Sequence, residues 1–206
     1  MSVITVTNVP VSTDDLINTF ERLQAELDPP VRRYIRRLLG VHADDLAVDD
    51  LAQETFIALY RRLTRSGDPL PLGDAKPYTY GIARNLCYEE LRRIERFGLA
   101  LEDDHDQADD AYGIGYTVMA DSSQSPENAA YWMLLNTEVQ AAINKLPSAQ
   151  RDALLLYCQA EMSYEEIAET LGVNVGTVKS RLHYAKRMLR GLVSAATVEA
   201  IESGDG

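Results

Sequence analysis

The stretch SYEEIAETLGVNVGTVKSRLHYAKRML, residues 163–189, decides the fold. Ser163 followed by Glu166 is a capping box, in which hydroxyl and carboxylate each satisfy a backbone amide that a helix start leaves unpaired, so a helix begins there. Ile167, Ala168 and Leu171 form its inner stripe, Gly172 supplies the left-handed residue that ends it, and a new helix starts by Val175. Two helices around so short a connection have helix-turn-helix spacing. In the second, Val178, Leu182, Ala185 and Leu189 fall within about 60° of one another at ~100° per residue, giving a core face. Opposite lie Gly176, Ser180, His183, Tyr184 and Arg187, flanked by Lys179, Lys186 and Arg190 on one side and Thr177 and Arg181 on the other. Gly172 to Val193 holds five cations and no acid, which weighs against a merely solvated bundle face. A basic second helix after a tight turn suits the DNA major groove, where its first turns meet base edges and later cations neutralise phosphate.

The whole chain has a formal charge of −12, which by itself argues against a nucleic-acid partner. The distribution of that charge argues the other way. Residues 1–100 carry −2, 101–140 carry −9, 141–193 carry +2 and 194–206 carry −3, so the acid sits between two nearly neutral halves. The 206 residues, 46% hydrophobic and 25% charged, suffice for one domain or two small ones. No apolar run approaches the ~18 to 20 residues of a membrane span, and the start lacks a signal-peptide pattern, so a cytoplasmic protein without membrane insertion is expected. Cys87 and Cys158 form no CxxC pair and have no histidine at ligand spacing. They are expected to be core thiols, with no metal and no cofactor.

Upstream, helical periodicity dominates and the chain reads as all-α. Val3 to Val11 is either a short strand or disordered. One helix is expected from Asp14 to Leu27, stopping before Pro29 and Pro30, and a second from Val31 to Leu39, stopping at Gly40. A third runs from about Asp49 to Arg65, a fourth from about Tyr78 to Arg96. Residues 98–126, rich in acids and serines with no helical stripe, form a flexible linker by composition, although Ala111 to Ala120 is apolar enough to dock. The second half continues with helices over Glu127 to Lys145 and Ser148 to about Gln159, and an acidic tail closes the chain at 194–206.

Two further helix faces carry chemistry. On the third helix Asp50, Gln53, Glu54, Ile57 and Arg61 face outward, and an isoleucine among carboxylates suggests a protein contact. On the fourth, Tyr80, Ala83, Cys87, Leu91 and Ile94 form the inner stripe, while Tyr78, Asn85, Tyr88 and Arg92 lie opposite. Rings beside an amide and a guanidinium are what unstacked bases require, although a surface tyrosine is more often simply packed at a domain edge.

Together these residues resemble bacterial sigma factors of the extracytoplasmic-function (ECF) group, and the match covers nearly the whole chain. Phe20 to Gly40 and DDLAQETF at 49–56 are similar to the group's second region and its polymerase-binding segment. YTYGIARNLCYEELRR at 78–93 resembles the minus-ten element, and LPSAQRDALLLY at 146–157 with the stretch at 163–189 resembles the fourth region. The resemblance implies two small helical domains: region 2 over 1–97, a linker over 98–126, and region 4 over 127–193 before the tail. It implies that Asp50, Gln53, Glu54 and Ile57 bind core RNA polymerase at the clamp helices of its largest subunit, with region 4 at the flap of the second-largest. Tyr78, Asn85, Tyr88 and Arg92 would bind minus-ten DNA, Asn85 at the pocket of a flipped base walled in part by the 66–77 loop. Thr177, Lys179, Ser180, Arg181, Tyr184 and Arg187 would bind minus-thirty-five DNA, and the linker would thread toward the RNA exit path.

Three positions depart from the family pattern: Tyr78 stands for the usual tryptophan, Gly81 where arginine is common, and Tyr184 for a frequent DNA-facing arginine. Altered sequence preference is expected, since an aromatic can still meet a thymine methyl. The family also implies an anti-sigma factor as a candidate partner. The alternatives are a sigma-like decoy for such a factor and a stand-alone helix-turn-helix regulator, which would leave residues 20–96 unexplained. An enzyme is not expected: His42, His105 and His183 are dispersed, and no nucleophile elbow or phosphate loop occurs.

Overall fold

A computed structural model describes residues 13–65, 74–102 and 126–203, all of whose regular elements are helical. In chain order these are α1 (Thr13–Leu39), a 3-10 turn (Gly40–His42), α2 (Asp45–Leu63), α3 (Ala75–Glu102), α4 (Pro126–Asn144), α5 (Ser148–Cys158), α6 (Tyr164–Leu171), α7 (Val175–Leu192) and α8 (Ala195–Ser203). The expectations for 3–11, and for docking of the apolar segment 111–120, lie outside the described residues.

Helices α1, α2 and α3 pack pairwise into one bundle, while α5, α6 and α7 form a second, with α4 against α7. Val31, Tyr34, Ile35 and Leu38 of α1 bury against Val48, Ala52, Phe56 and Leu59 of α2 and Tyr80, Ala83 and Cys87 of α3. The rings of Tyr34 and Tyr80 meet edge to face at 5.2 Å. Burial pushes the Cys87 thiol up to about 12. Cys158, expected in the core as well, is instead exposed at the end of α5, where Leu154, Leu155 and Leu156 take the buried positions.

The largest departure from sequence expectation is α1, a single helix running through Pro29 and Pro30. Two interior prolines remove two amide donors and cost roughly 6 kcal/mol together. Both sides of the break are nevertheless held on the same neighbour. Phe20 meets Tyr60 of α2 edge to face at 5.1 Å, and Arg32 pairs with both Asp28 (2.8 Å) and Asp49 of α2. The five buried side chains after the prolines, Val31, Tyr34, Ile35, Leu38 and Leu39, contribute roughly 1.5–3 kcal/mol each, enough to outweigh the loss. Gly40 ends α1 at φ +62°, and a Cβ there would lie 2.6 Å from the Asn144 side chain, so the position takes glycine for two reasons.

Boundaries shift elsewhere for local reasons. Asp44 accepts from the Ala47 amide at 2.6 Å and starts α2 four residues before the expected Asp49. Helix α3 extends from Ala75 to Glu102, so the first residues assigned to the linker are helical. The tail at 194–206 contains α8. Ser194 accepts the Thr197 amide at 3.3 Å, and Glu138 of α4 accepts from the Ser194 amide at 2.6 Å, from the Ser194 hydroxyl at 3.1 Å and from the Thr197 hydroxyl.

These hydrogen bonds, that of Thr197 foremost, hold the Glu138 carboxyl below its ordinary value. Because the folded value is depressed, the contribution is present above the unfolded carboxylate value and is lost as pH falls through the folded one. Amide-exchange protection over residues 195–203 is therefore expected to disappear in Glu138→Ala at neutral pH, and to decline in the unaltered chain on acidification below the carboxylate range.

Candidate nucleic-acid and polymerase interfaces

Helix α6 is built as its sequence indicates. The Ser163 amide donates to Glu166 Oε2 at 2.8 Å, the Glu166 amide donates to Ser163 Oγ at 3.2 Å, and Gly172 closes the helix at φ +62°. Asn174 then caps α7, its Oδ1 accepting from the Thr177 amide at 2.7 Å and the Thr177 hydroxyl at 3.0 Å. Val178, Leu182 and Ala185 are buried beneath α7. Lys179, Ser180, Tyr184, Lys186 and Arg187 are exposed on its outer side, with Arg181 half-buried. Thr177, assigned to DNA from sequence, is half-buried with its hydroxyl committed to the cap, so it shapes the start of α7. Aromatic rings organise the cations: Arg187 lies over Tyr184 at 4.9 Å, Lys186 over Tyr157 at 5.2 Å and Lys179 over Tyr164 at 5.9 Å.

Helix α2 presents Asp50, Gln53, Glu54 and Ile57 together, all exposed, with Ile57 at 49%. Asp50 and Glu54 also line a groove of about 930 Å³ between α2 and α3, whose other wall includes Leu86, Arg92, Arg93 and Ile94.

The outer face of α3 has a different environment. Tyr78, Asn85 and Arg92 are exposed, but Tyr88 is half-buried and its hydroxyl donates to Asp152 Oδ1 of α5 at 2.7 Å. Arg84, which sequence reasoning passed over, donates from Nε to Asp152 Oδ2 at 2.6 Å and lies over the Tyr88 ring at 4.9 Å. Its placement one residue before Asn85 and one turn before Tyr88 was a readable signal. Burial works against the Arg84 charge, but Asp152 outweighs it and the guanidinium is held more firmly protonated. Burial, then Asp152, lifts the Tyr88 phenol above its usual value.

The two bundles thus meet along one seam. At the start of α3, Lys76 Nζ donates to the Glu161 carbonyl at 3.4 Å, and the Thr170 hydroxyl, which donates to the Glu166 carbonyl at 2.8 Å, lies 3.4 Å from the Pro77 carbonyl. At the far end Arg37 donates to Gln140 Oε1 at 2.8 Å, and Gln140 Nε2 returns a bond to the Arg37 carbonyl at 3.0 Å. A cavity of about 380 Å³ lies in the seam, with Tyr78, Gly81, Ile82 and Asn85 on the α3 side and Glu169 and Thr170 of α6 opposite. Of the 66–77 loop expected to wall it, Asp74 and Pro77 line the cavity and 66–73 lie outside the described residues. Among the described residues no group of three or more His, Cys, Asp or Glu could hold a metal, and no helix is long and apolar enough to cross a membrane.

A basic helix-turn-helix and a three-helix module with an acidic outer face, carried on one chain, define the class of sigma-70-type proteins. The chain matches the family models for sigma-70 region 2 over residues 23–97 and sigma-70 region 4 over residues 136–189. It is 34% identical over 175 residues to the ECF RNA polymerase sigma factor SigE of Mycolicibacterium smegmatis, covering 84% of this chain and 61% of that protein. To the ECF RNA polymerase sigma factor EcfG of Rhodopseudomonas palustris it is 32% identical over 187 residues, covering 86% of this chain and 92% of that one. The solved structure of the sigma factor RpoE of Bartonella quintana, in complex with the anti-sigma factor NepR, shares the fold with a TM-score of 0.56 at 23% identity, covering 84% and 95%. The chain belongs to the ECF sigma factors of RNA polymerase. It is a factor that directs RNA polymerase to promoter DNA.

Since the capping box sets where α6 begins, Ser163→Ala is expected to destabilise the chain by about 1 kcal/mol, measured by denaturant unfolding.

Proposed function

We propose that promoter selection is divided along the chain as its two family matches are: residues 1–97 docking on core polymerase and reading minus-ten DNA, and residues 127–193 reading minus-thirty-five DNA. Asp50, Gln53, Glu54 and Ile57 form the docking face, at the clamp helices of the largest subunit, with the second module at the flap of the second-largest. The observation that carries this reading is the joint exposure of that α2 face and of the cations of α7, two unlike surfaces on one chain. Acids with one apolar anchor suit a basic protein helix, whereas cations braced on rings suit phosphate.

Minus-ten reading falls to Tyr78, Asn85, Tyr88 and Arg92. A base extruded from the duplex costs a few kcal/mol, offset by stacking and by hydrogen bonds from the Asn85 amide, so promoter opening is a binding reaction rather than catalysis. Minus-thirty-five reading falls to Lys179, Ser180, Arg181, Tyr184 and Arg187, with Thr177 setting the helix start. Residues 98–126 carry the chain toward the RNA exit path, and their acids suit a channel built for a polyanion. An anti-sigma factor is a candidate partner, because a solved relative is bound to one.

Two measurements check this division. Glu54→Arg places a cation in the docking face and should weaken binding to core polymerase tenfold or more in a titration with labelled chain, while Glu54→Gln has a smaller effect. Tyr184→Arg should change the minus-thirty-five sequence recovered from a randomised promoter library in run-off transcription; an unchanged preference would remove Tyr184 from the readout.

A further inference from the structure

The carboxylate of Asp152 is 1% exposed, and both its oxygens are taken by side chains of the other bundle, one by Arg84 and one by Tyr88. These two residues stand one turn apart on α3 with guanidinium over ring. Arg84 retains donors beyond the one given to Asp152, one of them 3.4 Å from the Asn85 side-chain oxygen, and its side chain stays 30% exposed. A guanidinium edge and a phenol hydroxyl converging on two oxygens of one anion form a receptor that fits a carboxylate or the two free oxygens of a phosphodiester equally. Asn85, the residue after Arg84, lines the cavity between α3 and α6, and the wall supplied by α6 brings a second acid, Glu169.

From this geometry we propose that Asp152 is an internal stand-in for a DNA phosphate: Arg84 and Tyr88 form the site for a backbone phosphate of the unpaired promoter strand, and α5 fills it while the chain is closed. The inference rests on the minus-ten assignment of α3 and deepens it by adding Arg84 to the strand-binding residues. Closing the seam and holding the strand are then mutually exclusive, because one carboxylate and one phosphate compete for the same donors. Asp152 and Glu169 both oppose a polyanion arriving at α3, so the closed chain repels the ligand it binds when open.

The test uses the full chain and a fluorescein-labelled 20-nucleotide oligothymidylate, with anisotropy read across a salt series. Donor and acceptor dyes on α2 and α7 report separation of the bundles. Asp152→Ala and Arg84→Gln each break the seam, and both are expected to lengthen the dye distance. Only Asp152→Ala should bind the oligonucleotide more tightly than the unaltered chain, by fivefold or more, with a log–log salt slope steeper by about 0.7 for the phosphate gained. Adding Arg84→Gln to Asp152→Ala should abolish both changes, and a neutral methylphosphonate oligonucleotide should show no gain with any variant. Asp152→Asn, which keeps the side-chain volume, should move in the direction of Asp152→Ala and guards against misfolding of the alanine variant.

Equal gains in Asp152→Ala and Arg84→Gln would mean that opening alone exposes the binding surface and would overturn Arg84 as the phosphate site. No gain in either variant would overturn the stand-in altogether. The sigma-factor assignment fails separately, if the unaltered chain does not co-elute with core polymerase.

Discussion

A carboxylate withdrawn from water has to be matched by donors, and for Asp152 both donors come from the other half of the molecule. That requirement fixes how α5 lies on α3, because Arg84 and Tyr88 offer their hydrogen bonds only along one turn of α3. Around it α6 packs on α3 and α5 packs on α1. Helix α6 lies opposite Tyr78 and Asn85, and α4 meets the end of α1, where Gly40 leaves room for Asn144 and Arg37 exchanges bonds with Gln140. Removing one partner of a buried ion pair costs about 3–5 kcal/mol when both are sealed from solvent. The Arg84 side chain is 30% exposed, so this pair contributes less than that and fixes geometry more than it adds stability.

The consequence is an asymmetry among the three surfaces proposed for binding. The acidic face of α2 and the basic face of α7 look outward, whereas the aromatic and amide face of α3 looks partly into the seam. Docking on a protein and engaging duplex DNA with α7 need no rearrangement of these side chains. Under the proposed division, reading an unpaired strand with α3 needs Tyr88 released from Asp152 and α6 withdrawn from the cavity beside Asn85. Binding energy from the exposed surfaces is thus available before the covered one has to open, and the acids that α5 and α6 place beside α3 have to leave with the second bundle.

How much of this was legible in the sequence depended on whether local rules or distant contacts decided each feature. Ser163, Glu166, Gly172 and Asn174 act within a few residues of themselves, and the turn they specify is present with its hydrogen bonds. The outward faces of α2 and α7 were equally readable, since helical periodicity sets what each residue can face. Pro29 and Pro30 misled because a local rule for ending helices was overridden by packing: Phe20 on Tyr60 and Arg32 on Asp49 hold both segments of α1 on α2. The acidic tail misled for a related reason, as α8 depends on Glu138, which lies 56 residues before Ser194. Thr177 and Tyr88 were both expected to meet DNA, and their hydroxyls are already engaged, one by a cap and one by Asp152.

By itself the sequence determined that the chain is helical, that it carries two modules separated by acidic residues, and that one helix is basic on its outer side, because periodicity, capping and charge act along the chain or across one helix. Only the tertiary structure decided which face of α3 is covered and that Arg84 and Tyr88 both bond Asp152 there. Those features depend on contacts between residues 64 and 68 positions apart, which no local pattern encodes.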